Sequence, residues 1–275
     1  MPTWPWSRDR GARSGRVSGR PPSANGASSL HLRWDLEGPL AEVSVELRVL
    51  EPPTTARLYF WALQADFADS AGRAAGGAHC GLQWHPGHAD STAANWGGYH
   101  AGGGELPGSR SPLPSKMDNA NTRDFAWRAG TTYRLWIHPA GEAAPQLPPG
   151  PPPGTTAWRC TITDLGSGEA TVLRDLYVQG EHLTGAIVWS EVFARCDDPS
   201  VSVLWSQPSG LTTRGDRVTP LRASVNYQSH ADGGCANTNS FPVDGAEAVG
   251  LVQQTNCSRE TPQGTMLAWP RRGSP

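Results

Sequence analysis

Lysine is almost missing from this chain: Lys116 is the only one in 275 residues, and the net charge is −2. Basic charge therefore rests on arginine, with no broad cationic face to neutralise phosphates, and nucleic acid is not expected as a partner. No run of 18 apolar residues occurs, which excludes a transmembrane helix and argues against a membrane as partner. The first 29 residues contain no apolar stretch of the kind a signal peptide needs. They read as an Arg/Gly/Ser/Pro-rich tail that includes Arg8, Arg10, Arg13, Arg16 and Arg20, too polar to bury a core.

Two further absences narrow the chemistry. The five cysteines, Cys80, Cys160, Cys196, Cys235 and Cys257, include no C-x-x-C pair, so zinc-ribbon and thioredoxin-like chemistry are not indicated. Cys235 and Cys257 flank a short C-terminal stretch and are the pair expected to bridge. Cys80, Cys160 and Cys196 lie in strand-like runs, where buried thiols are common. An apolar stripe at helical spacing is also missing throughout, so helices are expected to be absent or single turns.

What the chain has is glycine (32), proline (25) and tryptophan (12), a mixture that favours turns and short strands. From Leu30 onward the apolar pattern has period two. In LHLRWDL, Leu30, Leu32, Trp34 and Leu36 share one face and His31, Arg33 and Asp35 the other. EVSVELRVL repeats the pattern, and ten further runs follow at turn-separated intervals, among them RLYFWALQADF, AHCGLQWH, TYRLWIHP, AWRCTITD and GAIVWSEVFARC. Ten or more short half-buried strands predict an all-β fold, a two-sheet antiparallel β-sandwich or jelly roll, spanning 30–275 as a single domain behind a tail at 1–29. Long loops are expected at 86–123 and at the proline-rich 143–156.

The segment FAWRAGTTYRLWI, with CGLQW upstream and LTGAIVWSEVF downstream, resembles the bacterial family called domain of unknown function 3472. The residues that carry the resemblance are Gly77, Gly81, Leu82 and Gln83; Trp127, Ala129, Gly130, Thr131, Thr132 and Tyr133; and Leu183, Gly185, Glu191 and Phe193. They span about half the chain. The resemblance implies a concanavalin-like sandwich and secretion, and it supplies no activity.

Alternation sorts side chains into faces. Cys80, Leu82 and Trp84 point inward and His79, Gln83 and His85 outward; Tyr133, Leu135 and Ile137 point inward and Arg134, Trp136 and His138 outward; Trp158, Cys160 and Ile162 are inward and Arg159 outward. If the outward faces belong to one curved sheet, they form a groove suited to a carbohydrate or other polyhydroxylated ligand. Its expected lining is Trp61, Gln83, Arg134, Trp136, His138 and Arg159, with Asn95, Trp96 and Tyr99 as the returning wall.

Glu191 shares its face with Ile187, Trp189 and Phe193, and partial desolvation would push its carboxyl toward the general-acid range. Glu191 and His85 are the candidate catalytic groups. The alternative to a binding protein is a polysaccharide lyase or glycoside hydrolase, with Asp118 and Asp124 as candidate second carboxylates, or a biosynthetic cyclase. No cofactor is expected. His85, His88, Asp90 and His100 match no metal-ligand spacing, since Pro86, Gly87, Gly97 and Gly98 break any helix that would gather them. A monomer is expected.

Overall fold

The computed structural model describes residues 18–36, 38–141 and 147–270. The chain runs through β1 (Ser28–Trp34), β2 (Leu40–Glu51), β3 (Tyr59–Ala68), β4 (Ala74–Trp84), β5 (Thr92–His100), β6 (Thr122–Asp124), β7 (Thr132–Pro139) and β8 (Thr156–Asp164). It continues through β9 (Ala170–Val178), β10 (His182–Val192), β11 (Ser202–Thr212), β12 (Arg217–Val218), β13 (Arg222–Tyr227), β14 (Thr238–Asp244), β15 (Val249–Thr255) and β16 (Met266–Ala268). The only helical element among the described residues is a single 3-10 turn, Ala89–Ser91. None is long and apolar enough to cross a membrane.

All pairings are antiparallel, as period-two strands joined by short turns require. One group of strands runs β13-β1-β10-β3-β4-β5-β6 and a second runs β14-β15-β11-β2-β7-β8-β9. They join at one residue pair, Leu183 with Leu40. Inward residues of both groups, such as Leu63, Cys80 and Val188 from the first and Val45, Leu135 and Cys160 from the second, form one buried core. The two groups are thus two layers, each with one face inward and one outward.

The stretch expected to be one loop over 86–123 contains β5. That strand is hard to see because Ala93, Ala94, Gly97 and Gly98 mute its alternation. Residues 1–17 of the expected tail and 143–146 of the proline-rich loop lie outside the described residues. Residues 18–27 are held against the body: the Cys196 amide donates to the Gly19 carbonyl (2.7 Å) and the Gly19 amide to Asp197 Oδ1 (3.1 Å).

The expected Cys235–Cys257 bridge is corrected. The disulfides are Cys80–Cys160 and Cys196–Cys235, while the Cys257 thiol lies against the Gln254 carbonyl. Cys80 and Cys160 point into the core from opposite layers, so the pairing depends on the layers meeting and cannot be read from sequence spacing.

Gly81 marks a close approach of β3 and β4. A Cβ there would lie 1.8 Å from the Trp61 carbonyl oxygen and 2.7 Å from Ala62 Cα, both backbone atoms that cannot rotate away. Gly81→Ala is therefore expected to destabilise by at least about 2 kcal/mol, read as a lower denaturation midpoint at unchanged slope. An unchanged midpoint would refute the close approach.

Candidate functional site

The outer face of the first layer carries the chemistry, and strand register lays it out in rows. One row runs Ser29, Glu191, Phe60, Gln83, Ala93, Asp124. The next runs Asn226, His31, Trp189, Ala62, Gly81, Asn95, Thr122. The third runs Ser224, Arg33, Ile187, Gln64, His79, Gly97.

Glu191 sits on β10, whose inward face is anchored by Ser190 Oγ donating to Gln253 Oε1 (2.8 Å). Trp205 Nε1 donates to the same oxygen (3.0 Å), and Gln253 Nε2 donates to the Leu30 carbonyl (3.0 Å). This buried network holds the strand that presents the carboxylate. Burial raises the Glu191 pKa, and a hydrogen bond from Asn25 Nδ2 to Oε1 (3.3 Å) opposes part of that rise.

Phe60 lies between Glu191 and Gln83 in the row, but its ring leans along the sheet. It makes edge contacts with Trp189 (4.8 Å between centroids) and His79 (5.5 Å), residues paired further along β3. Glu191 and Gln83 thus flank Phe60 in the row, on the two strands that pair with β3. Gln83 is buried, with its Oε1 lacking a hydrogen-bond partner. Behind the aromatic group, Trp189 Nε1 donates to Gln64 Oε1 (3.1 Å), Gln64 Nε2 donates to Asp66 Oδ1 (3.3 Å), and Arg33 pairs with Asp66 at 3.9 Å.

His31 and His79 lie in this cluster, and burial lowers both pKa values from 6.5 to about 4, with Arg33 adding to the effect at His31. Both imidazoles are therefore neutral over most of the acidic range. At the far end of the Glu191 row, His88 Nδ1 donates to Asp124 Oδ1 (2.7 Å). Burial alone would raise the Asp124 pKa, but that bond and backbone amides hold it below the ordinary value.

The sign of the histidine effect is fixed by linkage. In the unfolded chain these groups take up protons near pH 6.5, whereas in the fold they do so only near 4. Stability is constant above about pH 6.5, falls as pH drops toward 4, and levels off below. The loss is at most about 3 kcal/mol per histidine, because both rings keep some contact with solvent. Denaturation midpoints between pH 7 and 4 are expected to fall less in His79→Gln than in wild type. Parallel curves would contradict the assignment.

The expected groove is not one surface. Gln83 and Asn95 belong to the first layer, whereas Arg134, Trp136, His138 and Arg159 lie on β7 and β8 of the second and point to the opposite side of the molecule. Trp61 and Trp96, expected to bind ligand, are 1% and 0% exposed and form part of the core, because each occupies an inward position of its strand. Arg159 is buried in a bidentate pair with Asp175 (2.7 and 2.8 Å), and Trp136 stacks on His138 at 3.8 Å. Tyr99 is 53% exposed at the end of β5.

His85 lies just past β4, its ring 4.9 Å from that of His88 and its Nδ1 accepting from the Gly87 amide. Its pKa is lowered by burial and by His88. His31, Phe60, Gln64 and Trp189 are not among the residues expected in the site, although outward alternation on LHLRWDL, RLYFWALQ and GAIVWSEVF marks their faces.

No family model matches the chain, and no curated protein matches it. Among solved structures, it is similar to scytalido-glutamic peptidase with a peptide-based transition-state analogue, at TM-score 0.44 and 9% identity, covering 83% of this chain and 98% of that one. It is also similar to SCP-B, a member of the eqolisin family of peptidases, in complex with the tripeptide Ala-Ile-His, at TM-score 0.43 and 9% identity over 87% of this chain and 100% of that one. A scytalido-glutamic peptidase with a transition-state analogue inhibitor gives TM-score 0.41 and 12% identity over 83% and 98%.

The carbohydrate expectation is corrected, together with its lyase, glycosidase and cyclase alternatives: the lining that suggested a sugar groove is divided between two opposite faces or buried in the core.

Proposed function

We propose that this protein is a peptidase that uses Glu191 and Gln83 to add water across an amide bond. The observation that carries this reading is the shared row: a carboxyl with a raised pKa and a buried carboxamide stand on one face of the layer, separated by a single intervening strand. Two strand spacings place their Cα atoms roughly 10 Å apart, so both side chains reach one carbonyl group bound between them. The likeness to solved peptidases, at 9–12% identity and TM-scores of 0.41–0.44, carries no weight in this assignment.

In this scheme ionised Glu191 removes a proton from water as the water oxygen bonds to the carbonyl carbon. A Gln83 N–H donates to the oxygen on which negative charge develops. The C–N bond then breaks as Glu191 returns the proton to the leaving nitrogen. A raised pKa makes the carboxylate a stronger base, at the cost of losing it to protonation at a higher pH.

The two disulfides fit an oxidising compartment and support a secreted enzyme. The resemblance to domain of unknown function 3472 is retained as a proposal, and its strings include Gln83 on β4 and Glu191 on β10. A mixed peptide library incubated with the protein at several pH values between 4 and 7, with new termini read by mass spectrometry, tests the reading. Internal cleavage is expected, and no new termini at any pH would overturn it.

A further inference from the structure

Beside Gln83 the same face contains a small polar slot. Gln83 and Asn95 are 5% and 7% exposed, and the carboxamide oxygen of each is buried without a hydrogen-bond partner. Asn95 is fixed in place because its Nδ2 donates to Thr122 Oγ1 (2.8 Å). The two amides are diagonal neighbours on β4 and β5: Gln83 pairs with Ala93 and Asn95 with Gly81. The remaining corners of that square are thus a methyl group and a hydrogen, neither of which can pair with the amides.

Two neighbouring polar groups are engaged elsewhere. The Asn121 side chain covers Gly97, in the next row beyond Asn95, and its Oδ1 accepts from Arg174 Nη1 (3.1 Å). Asp124, beside Ala93, is engaged by His88. Two acceptors therefore face a space that supplies them no donor, and buried polar groups of this kind are ordinarily paired.

We propose that this slot is a side-chain subsite of the peptide-binding face, with Asn95 as its specificity residue. It takes a substrate residue whose side chain donates N–H or O–H, such as Asn, Gln, Ser or Thr. Aliphatic side chains leave both acceptors unpaired, and carboxylates are repelled by them. A site built to pair a donor discriminates strongly against an analogue that lacks one. The inference rests on the peptidase reading, because it identifies the slot's occupant as part of a peptide.

The test uses peptides that differ at one position at a time, carrying Asn, Ser, Leu, Val, Lys or Asp. At one position relative to the cleaved bond, wild type is expected to favour Asn or Ser over Leu or Val by about tenfold or more in kcat/KM. Asn95→Leu is expected to remove most of that preference. Asn95→Asp places an anion in the slot and is expected to turn it toward Lys, which keeps the proposal testable if the leucine variant does not fold. Cleavage with equal kcat/KM for Asn and Leu at every position, or an unchanged preference in either folded variant, overturns the subsite.

If wild type cleaves none of the peptides, the peptidase reading fails by itself. The slot is then read by binding of the same peptides to Glu191→Gln protein, followed by tryptophan fluorescence. A Kd at least about tenfold tighter for Asn than for Leu peptides supports the slot, and equal Kd values overturn it.

Discussion

Glu191→Gln is expected to lower peptide hydrolysis by about 1,000-fold, in the range associated with losing a positioned general acid–base group. Gln keeps the size of the side chain and can still accept from Asn25, but it can neither take a proton from water nor return one to the leaving nitrogen. The fold is expected to survive, since Glu191 is only half-buried and contributes nothing to the core. Removing a desolvated carboxyl also removes the cost of ionising it there, so the denaturation midpoint near neutral pH should stay constant or rise. Retained hydrolysis in a folded variant would remove Glu191 from the chemistry.

The second large effect is on stability. Cys80 and Cys160 are 80 residues apart in sequence and join the two layers through the core. Closing a loop of that length is worth about 4.5 kcal/mol in the chain-entropy model. For a domain of this size that corresponds to a loss of about 10 °C or more in Tm. A Cys80→Ala/Cys160→Ala double variant is expected to show that loss even under oxidising conditions. The Cys196–Cys235 bridge closes a shorter span of 39 residues and is expected to contribute about 4 kcal/mol in the same model. A Tm unchanged by loss of the core bridge would show that the layers are held by packing alone.

These effects differ in how visible they are in the sequence. Period-two alternation is a local property, and it correctly sends Cys80, Leu82, Tyr133, Leu135, Ile137, Trp158, Cys160 and Ile162 into the core. It also places Glu191 on a face with Ile187 and Trp189, where the carboxyl is partly desolvated. Alternation fails at β5, where alanine and glycine offer little contrast between faces.

The larger gap concerns strand pairing. Nothing local in TYRLWIHP or AHCGLQWH records that one strand joins β2 and β8 while the other joins β3 and β5. The assumption of a single curved sheet put Trp136 and Gln83 into one groove when they lie on opposite faces. Long-range pairing also decides which cysteines meet and which polar residues share a row with Glu191. Gln83 could be named from the sequence, but its placement across Phe60 from Glu191 emerges only from the register of three strands.

The most direct measurement is a titration of the Glu191 carboxyl by carbon NMR, set beside the pH dependence of kcat/KM on a cleaved peptide. Glu191 is expected to titrate above the ordinary glutamate value, because burial raises its pKa. The value of kcat/KM is expected to fall as the pH drops through that same point, after correction for the folded fraction. A carboxyl that titrates at the ordinary value, or a rate that stays level while Glu191 gains its proton, would contradict it.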